Sequence, residues 1–224
     1  FIAGILVFFM QAGFALVEAG LTRSKNVANI MAKNIADMCI GVLAFYAVGY
    51  AFAYGDGGGW FIGGNSYFLS GSSLFEITEG LSGATDFFFQ VVFAATAVTI
   101  ASGAMAGRTK FSAYLLFSAL MTAFIYPVVV HWTWGGGLIA KFNREVDGWD
   151  IWGDAVFSDF AGSGIVHLTG GVAALMGAIA LGPRIGKYDE DGKPRAIPGH
   201  NIVFTVIGVF ILWLGWFGFN PGSE

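Results

Sequence analysis

Charge is scarce in this sequence. Of 224 residues, 12% are Asp, Glu, Lys or Arg, where a typical soluble domain carries about 25%. With 56% hydrophobic residues besides, that excludes a disordered chain and a charge-laced coiled coil. Basic residues are few: 11 Lys+Arg stand against 15 Asp+Glu, a net charge of −4. A nucleic-acid binder needs a basic stripe, and this chain has none. Cysteine is nearly missing. The single Cys39 excludes a disulfide scaffold and a cysteine-ligated zinc or iron–sulfur site. No Gly-rich stretch leads into Gly-Lys-Ser/Thr, so no phosphate-cradling loop is present. Nothing in the sequence calls for a metal, a cofactor or enzymatic chemistry.

What the chain has is apolar length. It holds 34 glycines and 23 phenylalanines, and its mean hydropathy is +0.69. A helix needs about 20 mostly apolar residues to cross about 30 Å of hydrocarbon. Six stretches meet that length: Phe1–Ala19, Val27–Ala53, Asp86–Ala106, Phe111–Trp134, Phe160–Leu181 and Ile202–Phe219. Barrel strands are half as long and alternate apolar with polar residues. The expected fold is therefore an all-α polytopic membrane protein in one domain, residues 1–224. The first stretch lacks a basic flank and carries Gln11 and Glu18, so it reads as a mature span and not a signal peptide. It opens directly in apolar sequence, which points to a longer parent chain.

The basic residues predict the direction of the spans. Connections one, three and five hold Arg23, Lys25, Arg108, Lys110, Arg184, Lys187, Lys193 and Arg195, while connections two and four hold only Lys141 and Arg144. Odd connections are expected in the cytoplasm and the N-terminus outside. The outer connections carry Asp56, Glu76, Glu79, Asp86, Glu145, Asp147, Asp150 and Asp154. Two readings stand: ordinary solvated loop charges, or a face that raises the local cation concentration.

Ionisable residues at membrane depth are costly and point to function. Asp159 is placed as the N-cap of span five. His167 follows eight residues later, about 12 Å along the axis at 1.5 Å per residue. It is either a core histidine bonded to a neighbouring helix or a group lining a cavity. His131 lies near the outer interface beside Trp132 and Trp134, and His200 in a connection. Lys33 and Asp37 are four apart on one helical face and so can pair, within a structural network that includes Gln11, Glu18 and Asn34. Gly103 and Gly107 form a small-xxx-small pair suited to close helix contact.

Phe93 lies about seven residues into span three from the outside, and Trp134 and Phe219 end spans four and six on that side. All three reach one depth above His167. Aromatic faces attract cations, and Ser223 could accept a hydrogen bond from one. The alternative is ordinary packing, since 17% of the chain is aromatic.

These segments resemble one family. Phe8-Phe9-Met10-Gln11-Ala12-Gly13-Phe14-Ala15-Leu16-Val17-Glu18-Ala19-Gly20 is similar to the first helix of the ammonium transporter (Amt/Mep/Rh) family. Asp159 to His167, continuing through Leu181-Gly182-Pro183-Arg184, resembles its signature segment. Gly215-Trp216-Phe217-Gly218-Phe219-Asn220-Pro221-Gly222-Ser223 resembles its sixth-helix motif.

The resemblance implies an eleven-helix fold built from two inverted five-helix repeats and one further helix, assembled as a homotrimer. This chain matches the first repeat and the sixth helix. The second repeat and its pore histidine lie outside it, so the function belongs to the parent protein: transport of ammonium or ammonia, in a cell (inner) membrane. By resemblance, Trp134, Phe93 and Ser223 form an outer recruitment site, and Phe93 and Phe219 a gate. His167 is a pore histidine serving as proton relay; Asp159, Gln90 and Phe89 are structural support. A PII-type regulator is the implied partner at the cytoplasmic face. The alternatives are an ammonium sensor of the same fold, a haem oxidoreductase using His131 and His167, and a purely structural bundle.

Overall fold

A computed structural model describes residues 1–70, 77–78, 81–140 and 157–224. The expectations for Glu76, Glu79, Lys141, Arg144, Glu145, Asp147, Asp150 and Asp154 fall outside the described residues. Within them, six helices are long and apolar enough to cross a membrane. Helix α1 is Ile2–Leu21. Helix α2, Val27–Ala44, continues through a π-helical turn at Phe45–Gly49 into α3, Tyr50–Tyr54. Helix α4 is Gly83–Met105. Helix α5, Phe111–Leu120, passes through a second π turn, Met121–Ile125, into α6, Tyr126–Thr133. A third π turn, Ser163–Leu168, leads into α7, Thr169–Leu181, and α8 is Ile202–Phe219.

Helix α4 is the centre of the bundle. Every residue from Val91 to Thr99 is buried, because α1, α2 and α7 all pack on it. Helix ends are set by local chemistry. Ser82 Oγ accepts the Thr85 amide at 3.2 Å and starts α4. Asn201 Oδ1 accepts the amides of Val203 and Phe204 at 3.1 and 3.3 Å and starts α8. Both supply acceptors to orphan first-turn donors.

The longest helix contact, α1 on α8, depends on missing side chains. A Cβ on Gly208 would sit 2.7 Å from the Gly13 carbonyl oxygen, and one on Gly13 would sit 3.0 Å from that of Gly208. The two backbones therefore meet directly, the close approach that small residues permit between membrane helices. The pair expected to play this part, Gly103 and Gly107, does not: α4 ends at Met105, and Gly107 lies in the following turn at φ +75°.

Polar groups buried between α1, α2, α4 and α5 form one network. Lys33 Nζ donates to Ser102 O at 2.9 Å and lies 4.0 Å from Glu18 Oε2. Ser102 Oγ donates to the same Glu18 oxygen at 2.7 Å. Thr99 Oγ1 donates to Asn34 Oδ1 at 3.0 Å. The Lys33–Asp37 pairing that the spacing allows is not formed. Lys33 reaches across to α1 and α4, and Asp37 Oδ2 accepts the Tyr114 hydroxyl at 2.7 Å instead. Partners on neighbouring helices outcompete the pair along one helix.

Candidate functional site

The site grows out of a turn. Asp159 is almost buried, 9% exposed. Its Oδ1 accepts the amides of Gly162 and Ser163, each at 2.9 Å. Its Oδ2 accepts those of Gly164 and Ile165, at 2.9 and 2.7 Å. One carboxylate thus satisfies four first-turn donors, at the positive end of a helix. The chain reaches this geometry because Gly162 takes φ +95°, a left-handed conformation open to glycine. For that reason the helix begins at Ser163, three residues later than the apolar run suggests.

The first turn is π-helical, with the His167 amide bonded to Gly162 O at 3.1 Å, five residues back. Such turns recur at functional sites. This one presents the half-buried His167 ring 5.2 Å from the Phe219 ring, edge to face. Nothing in the apolar pattern signalled the π turn; the glycines of Ala161-Gly162-Ser163-Gly164 are its trace in the sequence.

Phe219 closes α8 and stacks on Phe93 of α4, with centroids 4.2 Å apart and planes inclined by 19°. Phe93 and Phe219 are 1% and 2% exposed. Phe89, one turn earlier on α4, lies 4.7 Å from Phe93. Trp134 meets Phe93 edge-on at 6.3 Å, and its indole Nε1 donates to Asp159 O at 2.7 Å. A Cβ on Gly162 would lie 3.2 Å from Trp134 Cη2. The Asp159 turn therefore positions both Trp134 and His167. Ser223 is half-buried one turn beyond Phe219, and its Oγ donates to Phe219 O at 2.6 Å. Its lone pairs remain available as acceptors. Gln90 Nε2 donates to Asp86 Oδ1 at 3.4 Å.

His131 stands apart from this cluster. Its Nδ1 lies 3.0 Å from Ala53 O and its Nε2 2.9 Å from Gly59 O. Both ring nitrogens are engaged by backbone oxygens, which leaves neither for iron and removes the haem reading. At the other end of α4 a cavity of about 420 Å³ opens, with Glu18, Thr99, Arg23 and Arg184 in its wall. Burial, with Arg108 and Arg23 beside it, pulls the Arg184 guanidinium below its ordinary value.

The described geometry is thus an aromatic layer, two stacked phenylalanines and an imidazole, in that order across one bundle. Comparison with known proteins decides the family. The Ammonium Transporter Family matches residues 1–224, the whole chain. This chain belongs to that family. It is 52% identical to ammonium transporter Amt2 of Archaeoglobus fulgidus, over 99% of this chain and 46% of that protein. It is 45% identical to ammonium transporter 1 member 3 of Solanum lycopersicum, over 97% of this chain and 45% of that protein. Among solved structures it superposes on a sensor Amt protein with a TM-score of 0.88 at 38% identity, covering 99% of this chain and 53% of that one. It superposes on Mep2 of Candida albicans with a TM-score of 0.80 at 27% identity, covering 99% of this chain and 46% of that one. The chain spans about half the length of the curated relatives it matches. It is a multi-pass membrane protein of the ammonium transporter family, and its relatives are transporters, not enzymes.

Proposed function

We propose that the parent protein carries ammonium across the membrane in the form of ammonia, and that this chain supplies the outer site, the gate and one pore histidine. One observation carries the reading: the Phe93–Phe219 stack lies between Trp134 on one side and His167 on the other. Ammonium is a small hydrated cation. The π-faces of Trp134 and Phe93, with the Ser223 hydroxyl, replace part of its water; such contacts contribute about 0.5–2 kcal/mol each. Beyond the stack the surroundings are apolar, and desolvation disfavours the charged form. Ammonium then gives up one proton, leaving neutral ammonia to pass. His167 accepts or relays that proton together with groups outside this chain. Potassium has no proton to give and is rejected at the same step.

The family reading also implies a homotrimer, an N-terminus outside a cell (inner) membrane, and a PII-type regulator meeting the face that carries Arg23 and Arg184. A second reading, an ammonium sensor, is favoured by the likeness to the sensor Amt protein. One measurement separates them. In liposomes holding the full-length protein, an ammonium gradient should drive saturable flux, and an equal potassium gradient should not. Ammonium binding without flux would overturn transport in favour of sensing.

A further inference from the structure

Asp86 is the first-turn acid of α4, and it lies above the gate. Phe93 follows it by seven residues. At about 100° per residue that is about 20° short of two full turns, with a rise of about 10 Å. Asp86 therefore shares a helical face with Phe93, two turns further out, with Phe89 and Gln90 between them. Its carboxylate is held by neutral donors. Tyr50 OH donates to Oδ2 at 2.5 Å, and Gln90 Nε2 to Oδ1 at 3.4 Å. Among the described residues no Lys, Arg or His forms an ion pair with it. The neighbouring Phe87 packs against Tyr50 at 5.5 Å, Tyr46 at 6.1 Å and Phe45 at 6.2 Å. That anchorage fixes the rotation of α4, and with it the place of the carboxylate.

We propose that Asp86 is an affinity-determining residue of the outer site: a carboxylate with no ion-pair partner among the described residues, oriented by Tyr50 and Gln90, that concentrates ammonium in front of Phe93 and Trp134. The inference rests on the reading of those two rings as the cation site. A carboxylate about 10 Å from a monovalent cation raises its occupancy about two-fold at the dielectric of water and about fifteen-fold at an effective value of 20. Of the two outer acids among the described residues, Asp56 and Asp86, Asp86 is the one on α4, two turns from Phe93. Its favourable place at a helix N-terminus is a structural role, and a structural role does not change with salt in the way a steering charge does.

The test uses the full-length protein in liposomes with methylammonium as probe. Asp86→Asn should raise the half-saturating concentration about two- to fifteen-fold, leave the maximal rate unchanged, and flatten the wild-type dependence on ionic strength. Asp86→Glu should restore both. An unchanged half-saturating concentration, or a fall in maximal rate alone, overturns the proposal. If Asp86→Asn does not assemble, the comparison of Asp86→Glu with Asp86→Gln isolates the same charge and is read the same way. Trp134→Leu separates the two levels. If it raises half-saturation and Asp86→Asn does not, steering fails alone. If it has no effect while Asp86→Asn does, the aromatic reading fails, and with it the proposal that Asp86 feeds a site at Phe93 and Trp134.

Discussion

Phe93 and Phe219 come from helices far apart in sequence, yet their rings stack at 4.2 Å with planes 19° apart. Sequence alone could place them at one depth. Along the α1–α8 contact Gly13 and Gly208 let the backbones meet, and Gly215 and Gly218 approach Met10, Leu6 and Ala3 nearer the end of α8 that carries Phe219. Trp134 and His167 then fall on opposite sides of the pair.

Removing one ring should open that barrier. Phe219→Ala in the full-length protein deletes a side chain that is 2% exposed, at a stability cost of about 3–5 kcal/mol for a buried phenylalanine. Liposomes carrying the variant should shrink faster under osmotic shock, followed by stopped-flow light scattering. A water permeability equal to that of the wild type would remove Phe219 from the gate.

His167 is the next test. It is half-buried beneath Phe219 and presented by the Ser163–Leu168 turn. His167→Ala removes the imidazole and leaves the turn's backbone bonds in place. Ammonium-driven flux through the whole protein should be abolished or altered in selectivity. Wild-type flux and wild-type rejection of potassium would show that the ring does not take part in proton transfer.

The membrane helices are legible in the sequence itself. The apolar runs mark the membrane-length helices, and counting residues along them puts Phe93, Trp134 and Phe219 near one level; in the structure Phe93 meets both other rings. Periodicity could not show which neighbour each buried polar group would choose. Lys33 has Asp37 one turn away on its own helix, but Glu18 and Ser102 approach it from two other helices. Sequence separation says nothing about that competition. The left-handed Gly162 and the π turn after it were equally hidden, since both depend on the Asp159 carboxylate folding back over four amides.

That carboxylate should be costly to lose. Asp159→Ala strands four donors at the start of a helix, and with Trp134 bonded to Asp159 O the aromatic layer is tied to the same turn. A loss of about 2–4 kcal/mol is expected from unsatisfied buried groups. Asp159→Asn should not rescue it, because an amide NH₂ would face two of the donors. Thermal unfolding in detergent gives the stability, and tryptophan emission reports the release of Trp134. An unshifted melting temperature in both variants would contradict the four-fold cap.

The Glu18–Lys33 contact makes a prediction of a different kind, about coupling. Their side chains are 8% and 3% exposed, with 4.0 Å between Oε2 and Nζ. Breaking a buried pair by neutralising one partner leaves the other charge uncompensated, at about 3–5 kcal/mol. Glu18→Gln alone should therefore be destabilising, since Lys33 loses its nearest carboxylate and keeps Ser102 O, the Tyr114 ring face at 4.5 Å and the more weakly coupled Asp37. Lys33→Met alone leaves Glu18 with neutral donors only, from Ser102 and Asn34. The double variant removes both charges, and its cost should fall below the sum of the two by about 1–3 kcal/mol, the range for residues in one network. Denaturant unfolding of the four proteins in micelles measures the difference directly. Strict additivity would mean that the two charges are stabilised separately, Glu18 by Ser102 and Lys33 by the backbone and Tyr114, and not by each other.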